Sequence, residues 1–384
     1  MRLCKKGFIQ TYLDYTQEQE SPEFFHLWSA ISVIGAALGR KCYVDRGFFQ
    51  CYPNTYIILV SESARCRKTV ASGIAVGLYR SSGLPGLFKG KITTRGLTKH
   101  LSDTAIKTGG SHCFIYSPEL GKVLGADSYT TGLMVALTDY YDCPAEDTIL
   151  TATQGSDNPK DVFLSLLGCT IPQWLSTVPG DMVEGGFSSR TLFIVQNTPR
   201  KPMARKTISM EETELKQQLV ADLTDIGQIT GEFSWTEDAE VSFDMWYNQN
   251  FNFIDEKDLR LRPYFARKGE HLIKVAMALS AGRSSNRRIE GGDIRGALSL
   301  LTGNEVGMAT AFRGVSLSDS TKHQDKILSQ IEDLGGKAAF PALMRRNRFH
   351  MDHEELRKVL QTLQEGNIVR REFNTSGEWY IIIE

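Results

Sequence analysis

Lys68-Thr69 is the pair of neighbouring residues best suited to chemistry in this chain. An ammonium beside a hydroxyl at the start of a helix can hold phosphate oxygens and a divalent cation, because the helix also offers unpaired backbone N–H groups there. The flanking sequence has the required order: an apolar run from Tyr56 to Val60, a polar loop through Ser63, Ala64, Arg65, Cys66 and Arg67, then a helical pattern at Val70, Ile74, Ala75 and Leu78. In the pattern G-x-x-x-x-G-K-[ST], the two glycine positions hold Glu62 and Arg67. Glycine is favoured there because the loop needs positive φ and close approach to phosphate, so both residues count against the motif. Arg65 and Arg67 count for it, since two added cations in such a loop imply an anion nearby. The structural alternative is a buried strand running into an ordinary helix that opens with a lysine.

Three further positions could complete a phosphoryl-transfer site. The apolar run from Cys113 to Tyr116 ends in Ser117-Pro118-Glu119, and a carboxylate at the end of a parallel strand sits beside the metal and the attacking water. The usual first acid is replaced here, so Glu119 must serve as base or as a water-mediated Mg²⁺ contact; its alternative is a surface glutamate capping an edge strand. The segment Asp161 to Thr170 reads as a buried strand ending in a hydroxyl. Gly180 to Val195 is a glycine-rich loop that presents Arg190 just before a strand, a suitable place for an arginine finger or for a structural ion pair.

Ser63-Ala64-Arg65-Cys66-Arg67-Lys68-Thr69 and Gly185-Gly186-Phe187-Ser188-Ser189-Arg190 resemble motifs of a family of phage and prophage ATPases often encoded near primases and replication proteins. The resemblance runs from about Phe24 to Leu300. It implies an α/β fold with an AAA+/RecA-like P-loop core, ATP and Mg²⁺ as ligands, and residues 63–69 as the nucleotide loop. In that scheme Lys68 and Thr69 hold phosphate and Mg²⁺, and Glu119 polarises water and contacts Mg²⁺. Thr170, on a strand between the loop strand and the acid strand, holds the water or γ-phosphate, while Arg190 reaches a neighbouring subunit. The implied protein is a hexameric ring that moves single-stranded or forked DNA as a translocase or helicase, with primase or other replication proteins as partners, in the cytoplasm of a phage-infected or prophage-bearing bacterium. The alternative is a nucleotide-binding DNA regulator, initiator accessory or helicase loader with little or no hydrolysis.

The elements that must position these residues follow from the rest of the chain. At 384 residues it exceeds one compact core and divides into a helical and hairpin segment (1–53), the ATPase core (54–205), a helical lid (206–314) and a small C-terminal domain (322–384). Ser21 reads as a cap for a buried helix, Phe24 to Leu38, and Lys41 to Tyr52 as a hairpin. Lys91 to Thr94 reads as a short strand, Arg95 to Lys107 and Gly132 to Tyr141 as helices, and Gln154 to Lys160 as a polar turn. The lid helices are expected over Glu211 to Ile226, Phe233 to Trp246, Phe265 to Gly282 and Asp293 to Ala311, with Arg267 and Lys268 either near phosphate or solvated. After a linker at Gly314 to Thr321, helices Lys322 to Leu334, Pro341 to Arg348 and Met351 to Glu365, with a short strand Ala338 to Phe340 and a hairpin of Ile368 to Asn374 and Gly377 to Ile383, are expected to form a winged helix. Arg345, Arg346, Arg348, Arg357, Lys358, Arg370 and Arg371 could meet nucleic-acid phosphates there.

Composition bounds these readings. Net charge is −1, from 44 basic and 45 acidic residues, and from residue 322 onward the two kinds balance at ten each, so only local clusters could attract DNA. The seven cysteines (4, 42, 51, 66, 113, 143 and 169) form no CxxC pair, which favours reduced thiols and no zinc, although Cys42 and Cys51 flank the expected hairpin. No apolar run of membrane-spanning length and no secretory signal is read.

Overall fold

The protein is described from a computed structural model, over residues 2–124, 132–151, 155–175, 186–205, 207–250, 261–312, 319–348, 351–374 and 377–383. The chain forms two compact units, one of Met1–Trp174 with Glu184–Ala311, the other of Leu175–Val183 with Phe312–Glu384. The segment expected as a lid therefore belongs to the same unit as the core and the N-terminal helices. Of the linker expected at Gly314 to Thr321, residues 314–318 lie outside the described residues, as does the loop at 180–185, while 319–321 open a helix.

The first unit opens with helices α1 (Phe8–Thr16) and α2 (Glu23–Leu38) and a hairpin of β1 (Cys42–Asp45) with β2 (Gln50–Cys51). Helix α2 is apolar on most faces and is buried along nearly its whole length. Gly35 lets it approach the chain at Pro53, where an added Cβ would stand 2.5 Å from the Pro53 carbonyl oxygen. Pro22, not Ser21, occupies the position before α2, and the Ser21 hydroxyl donates to the Arg67 carbonyl instead. Cys42 and Cys51 are free thiols, as are the other five cysteines.

Five strands then build an all-parallel sheet: β3 (Tyr56–Val60), β4 (Leu87–Lys89), β5 (His112–Ser117), β8 (Phe163–Thr170) and β9 (Thr191–Val195), the pair β6 (Ile149–Thr151) and β7 (Gly155–Asp157) forming a separate hairpin. The order across the sheet is β4-β5-β8-β3-β9. Strands β3, β8 and β9 are buried at every residue, which is why they read as continuous apolar runs and not as alternating patterns. Helices α3 (Lys68–Ser81) and α4 (Thr94–Thr108) supply crossovers of this open α/β fold.

The outer strand corrects one expectation. Leu87–Lys89, not Lys91 to Thr94, pairs with β5, because Gly86 at φ 83° brings the chain so close to His112 that a Cβ there would lie 2.8 Å from its carbonyl oxygen. Thr93 then caps α4 by accepting from the Gly96 N–H. Helices Met210–Ile226 and Arg262–Arg283 both pack on α2. Among the described residues no helix is long and apolar enough to cross a membrane.

The second unit contains helices Asp319–Asp333, Phe340–Asn347 and His353–Glu365, and an antiparallel sheet in the order Lys337–Ala339, Gly377–Ile382, Val369–Asn374. Ile327, Ile331, Leu343, Leu356, Leu360 and Leu363 form its core with Tyr380 from the sheet. These bounds lie within three residues of those read from the sequence. The short strand expected at Ala338 to Phe340 is present one residue earlier and joins the same sheet as the hairpin.

Candidate functional site

The carboxyl ends of β3, β5 and β8 emerge side by side, because Val60 pairs with Thr170 and Ser117 with Gly168 in register. Outside them lies a cleft of about 520 Å³, the place where open α/β sheets bind ligands. Its walls are Ser63, Ala64, Arg67, Lys68 and Thr69 from the loop and α3, Glu119 and Lys122 after β5, and Thr170 and Trp174 after β8. Four of the five residues expected to act in chemistry thus share one cavity: Lys68, Thr69, Glu119 and Thr170.

The loop itself takes the shape that glycine would favour, without glycine. Ala64 (φ 58°) and Arg67 (φ 48°, ψ 38°) occupy the left-handed region, and Arg67 stands immediately before α3. Arg67 fills the second glycine position, so the demand for positive φ is met by a strained arginine. Glu62, at the first, is not among the positive-φ residues, so its lack of glycine carries no backbone strain.

Lys68 is buried, and its ammonium donates to the Ser61 carbonyl at 2.7 Å and the Glu62 carbonyl at 3.1 Å. Burial lowers its pKa, an effect opposed by the nearby Cys169 and Cys66. Thr69 is exposed in the mouth of the cleft. Thr170 is buried, and its carbonyl accepts from the Ser61 N–H at 3.4 Å, which ties the loop start to the end of β8. Glu119 is exposed and held by Lys122 at 2.6 Å, one turn onward.

Arg65 and Arg67 do not wait unpaired for an anion. Arg65 bonds Glu62 at 3.3 Å, an exposed pair of small energetic weight, and Arg67 bonds Glu20 at 2.7 Å. Arg65 does not line the cleft, nor does Cys66, which is buried beneath the loop. Arg190 is also outside the cleft. Its guanidinium is nearly buried, bonded to Asp142 at 2.5 Å and to the Gly186 carbonyl at 3.0 Å, and in this chain it acts as the structural ion-pair partner. Arg267 shares Asp142, while Lys268 pairs with Glu305, and neither lines the cleft.

Of the cations expected to meet nucleic acid, most are neutralised within the second unit. Arg346 pairs with Asp333, Arg370 with Glu372, and both Arg357 and Arg371 with Glu378. Arg348 also has a partner. Arg345 and Lys358 are exposed and make no ion pair among the described residues.

Reading the sequence missed Lys122, Trp174 and Glu20. Lys122 was findable, being three residues from Glu119 on a helical turn. Trp174 and Glu20 carry no local signal, since each reaches the site only through the fold. Comparison with known protein families and with curated proteins finds no match to this chain.

Proposed function

We propose that the chain is a Mg²⁺-dependent nucleoside triphosphatase, with ATP the substrate that its loop motif implies, and that it couples hydrolysis to movement on DNA as an oligomeric ring. The observation that carries the enzymatic part is the meeting of Lys68, Thr69, Glu119 and Thr170 in one cleft at the strand ends. Lys68, already desolvated, would attract the outer phosphates strongly, because charges interact more at low dielectric. The residues fit Mg²⁺ as oxygen donors: the Thr69 hydroxyl directly and Glu119 directly or through water. When bound, the ion would neutralise charge developing on the phosphates. Glu119 would orient or deprotonate the attacking water once it leaves Lys122, and the Thr170 hydroxyl would hold that water or the terminal phosphate.

The DNA part rests on the family resemblance and on the second unit. Its three helices with a three-stranded antiparallel sheet fit a winged helix, and Arg345 and Lys358 are the cations available for phosphate. A second reading, a nucleotide-binding regulator or helicase loader with little turnover, is favoured by the Glu119–Lys122 and Arg190–Asp142 pairs, which engage two of the expected catalytic groups.

Steady-state ATP hydrolysis with and without single-stranded DNA tests the proposal. Wild type should turn over ATP faster with DNA, and Lys68→Ala and Glu119→Gln should each lose at least about 100-fold in rate. Folded wild type that shows no turnover above the Lys68→Ala background would leave the regulator reading standing.

A further inference from the structure

Arg67 is the least expected residue of the cleft, a long cation in a left-handed conformation at the head of α3. That conformation costs a non-glycine residue on the order of 1–2 kcal/mol, so something must hold it. Two neighbours from the segment between α1 and α2 do so. The Ser21 hydroxyl donates to the Arg67 carbonyl at 3.1 Å, and Glu20 accepts from the Arg67 Nε at 2.7 Å.

Glu20 is itself fixed at several points. Its second carboxylate oxygen accepts from the Met203 backbone N–H at 3.1 Å, and its carbonyl accepts from the Arg200 N–H at 2.9 Å. Two further ion pairs, Arg200–Glu23 at 2.6 Å and Lys201–Glu18 at 2.7 Å, join the same two segments. The carboxylate therefore cannot follow Arg67 about, and Arg67 must come to it. The bond uses only the Nε of a planar guanidinium. Both terminal nitrogens stay without a hydrogen bond among the described residues, on a side chain that is 57% exposed. Such a fork matches two oxygens of a phosphate, which an ammonium cannot do.

We propose that Glu20 is a positioning residue for polyphosphate binding: it anchors the Nε edge of Arg67 so that the opposite edge of the guanidinium is presented to the phosphates held by Lys68. The inference rests on the nucleotide reading of the cleft. The loop has thus exchanged the freedom of glycine for a clamped cation, with the clamp supplied 47 residues away in sequence.

Calorimetric binding of a non-hydrolysable ATP analogue with Mg²⁺, and separately of inorganic tripolyphosphate, to the full chain tests this. Arg67→Ala should weaken both ligands about 10-fold and Glu20→Ala about 3- to 10-fold, while the double variant should be no weaker than Arg67→Ala alone. Glu20→Gln, which keeps an acceptor, should retain most of the affinity, and Arg67→Lys should not restore it. If Glu20→Ala does not fold, Glu20→Asp, which withdraws the carboxylate by one carbon, should show the same dependence on Arg67. Losses that multiply in the double variant would mean that Glu20 acts on the fold and not through Arg67. Tighter binding by Glu20→Ala would mean that it competes for Arg67; either result overturns the inference. Failure of the underlying reading is distinct: wild type and Lys68→Ala would then bind neither ligand.

Discussion

Ala64 is an alanine at φ 58°, exposed and without a side-chain partner to fix it there, so its backbone strain has a simple remedy. Ala64→Gly removes the clash of Cβ with the carbonyl, worth roughly 1 kcal/mol, against the added entropy of a glycine in the unfolded chain. The variant should be more stable by about 0.5 kcal/mol, seen as a thermal midpoint raised by about 1 °C. A midpoint lowered by that amount would show that the loop does not adopt this shape in solution. The need for positive φ was legible in the motif, and Arg67 satisfies it where the pattern puts its second glycine. What the pattern hid was which acids answer the added arginines. Glu62 is a local partner for Arg65, but Glu20 meets Arg67 only because α2 and its preceding turn fold back onto the loop.

At the level of elements, the strands were legible where their burial made a long unbroken signal, as in Phe163–Thr170. Leu87–Lys89 was misplaced because three residues, only partly buried, give no periodicity and follow a proline-glycine turn. The Gly-Gly-Phe-Ser-Ser-Arg motif shows a different limit. Its residue types suit a loop that offers a cation outward as well as one that ion-pairs it, and Gly186–Ser189 forms a helical turn that delivers Arg190 inward, onto Asp142 and 5.9 Å from the centre of the Tyr141 ring. Gly186 is required because a Cβ there would collide with the Thr138 methyl and crowd the Arg190 guanidinium. Arg190→Ala should therefore destabilise the chain by about 1–2 kcal/mol, the loss being moderated because Asp142 is half exposed and keeps Arg267. An arginine that served only a neighbouring subunit would leave the melting temperature of a dilute, monomeric sample unchanged. Thermal unfolding at low protein concentration separates the two.

Across the whole first unit, the packing of Arg262–Arg283 on α2 joins that helix to the sheet-bearing core, and each of the two helices carries a buried histidine, His271 and His26. His271 donates from Nε2 to the Ser189 carbonyl at 2.9 Å, and burial, with Lys274 and Arg267 nearby, lowers its pKa to about 3. Among the described residues His26 has no hydrogen-bond partner for either ring nitrogen, and burial, with Arg200 nearby, lowers its pKa to about 4. Both groups are thus neutral in the folded chain at pH values where the unfolded chain, near the ordinary 6.5, takes up a proton. The unfolded state then binds more protons, and stability falls as pH drops below about 6.5, by about 1.4 kcal/mol per pH unit for each histidine. The decline from His26 ends near pH 4 and that from His271 near pH 3, where the folded chain also protonates. The pKa of a third histidine, His112, is likewise lowered to about 4 by burial, with Lys41 nearby, so by pH 5 the three together should remove about 6 kcal/mol, lowering the thermal midpoint by on the order of 10 °C relative to pH 7.5. His26→Phe and His271→Gln should each flatten this slope by about a third while leaving unchanged the neutral-pH affinity for any ligand of the cleft, because neither side chain lines it. A wild-type midpoint that stays level from pH 7.5 to 5 would show that water reaches these rings in the folded chain.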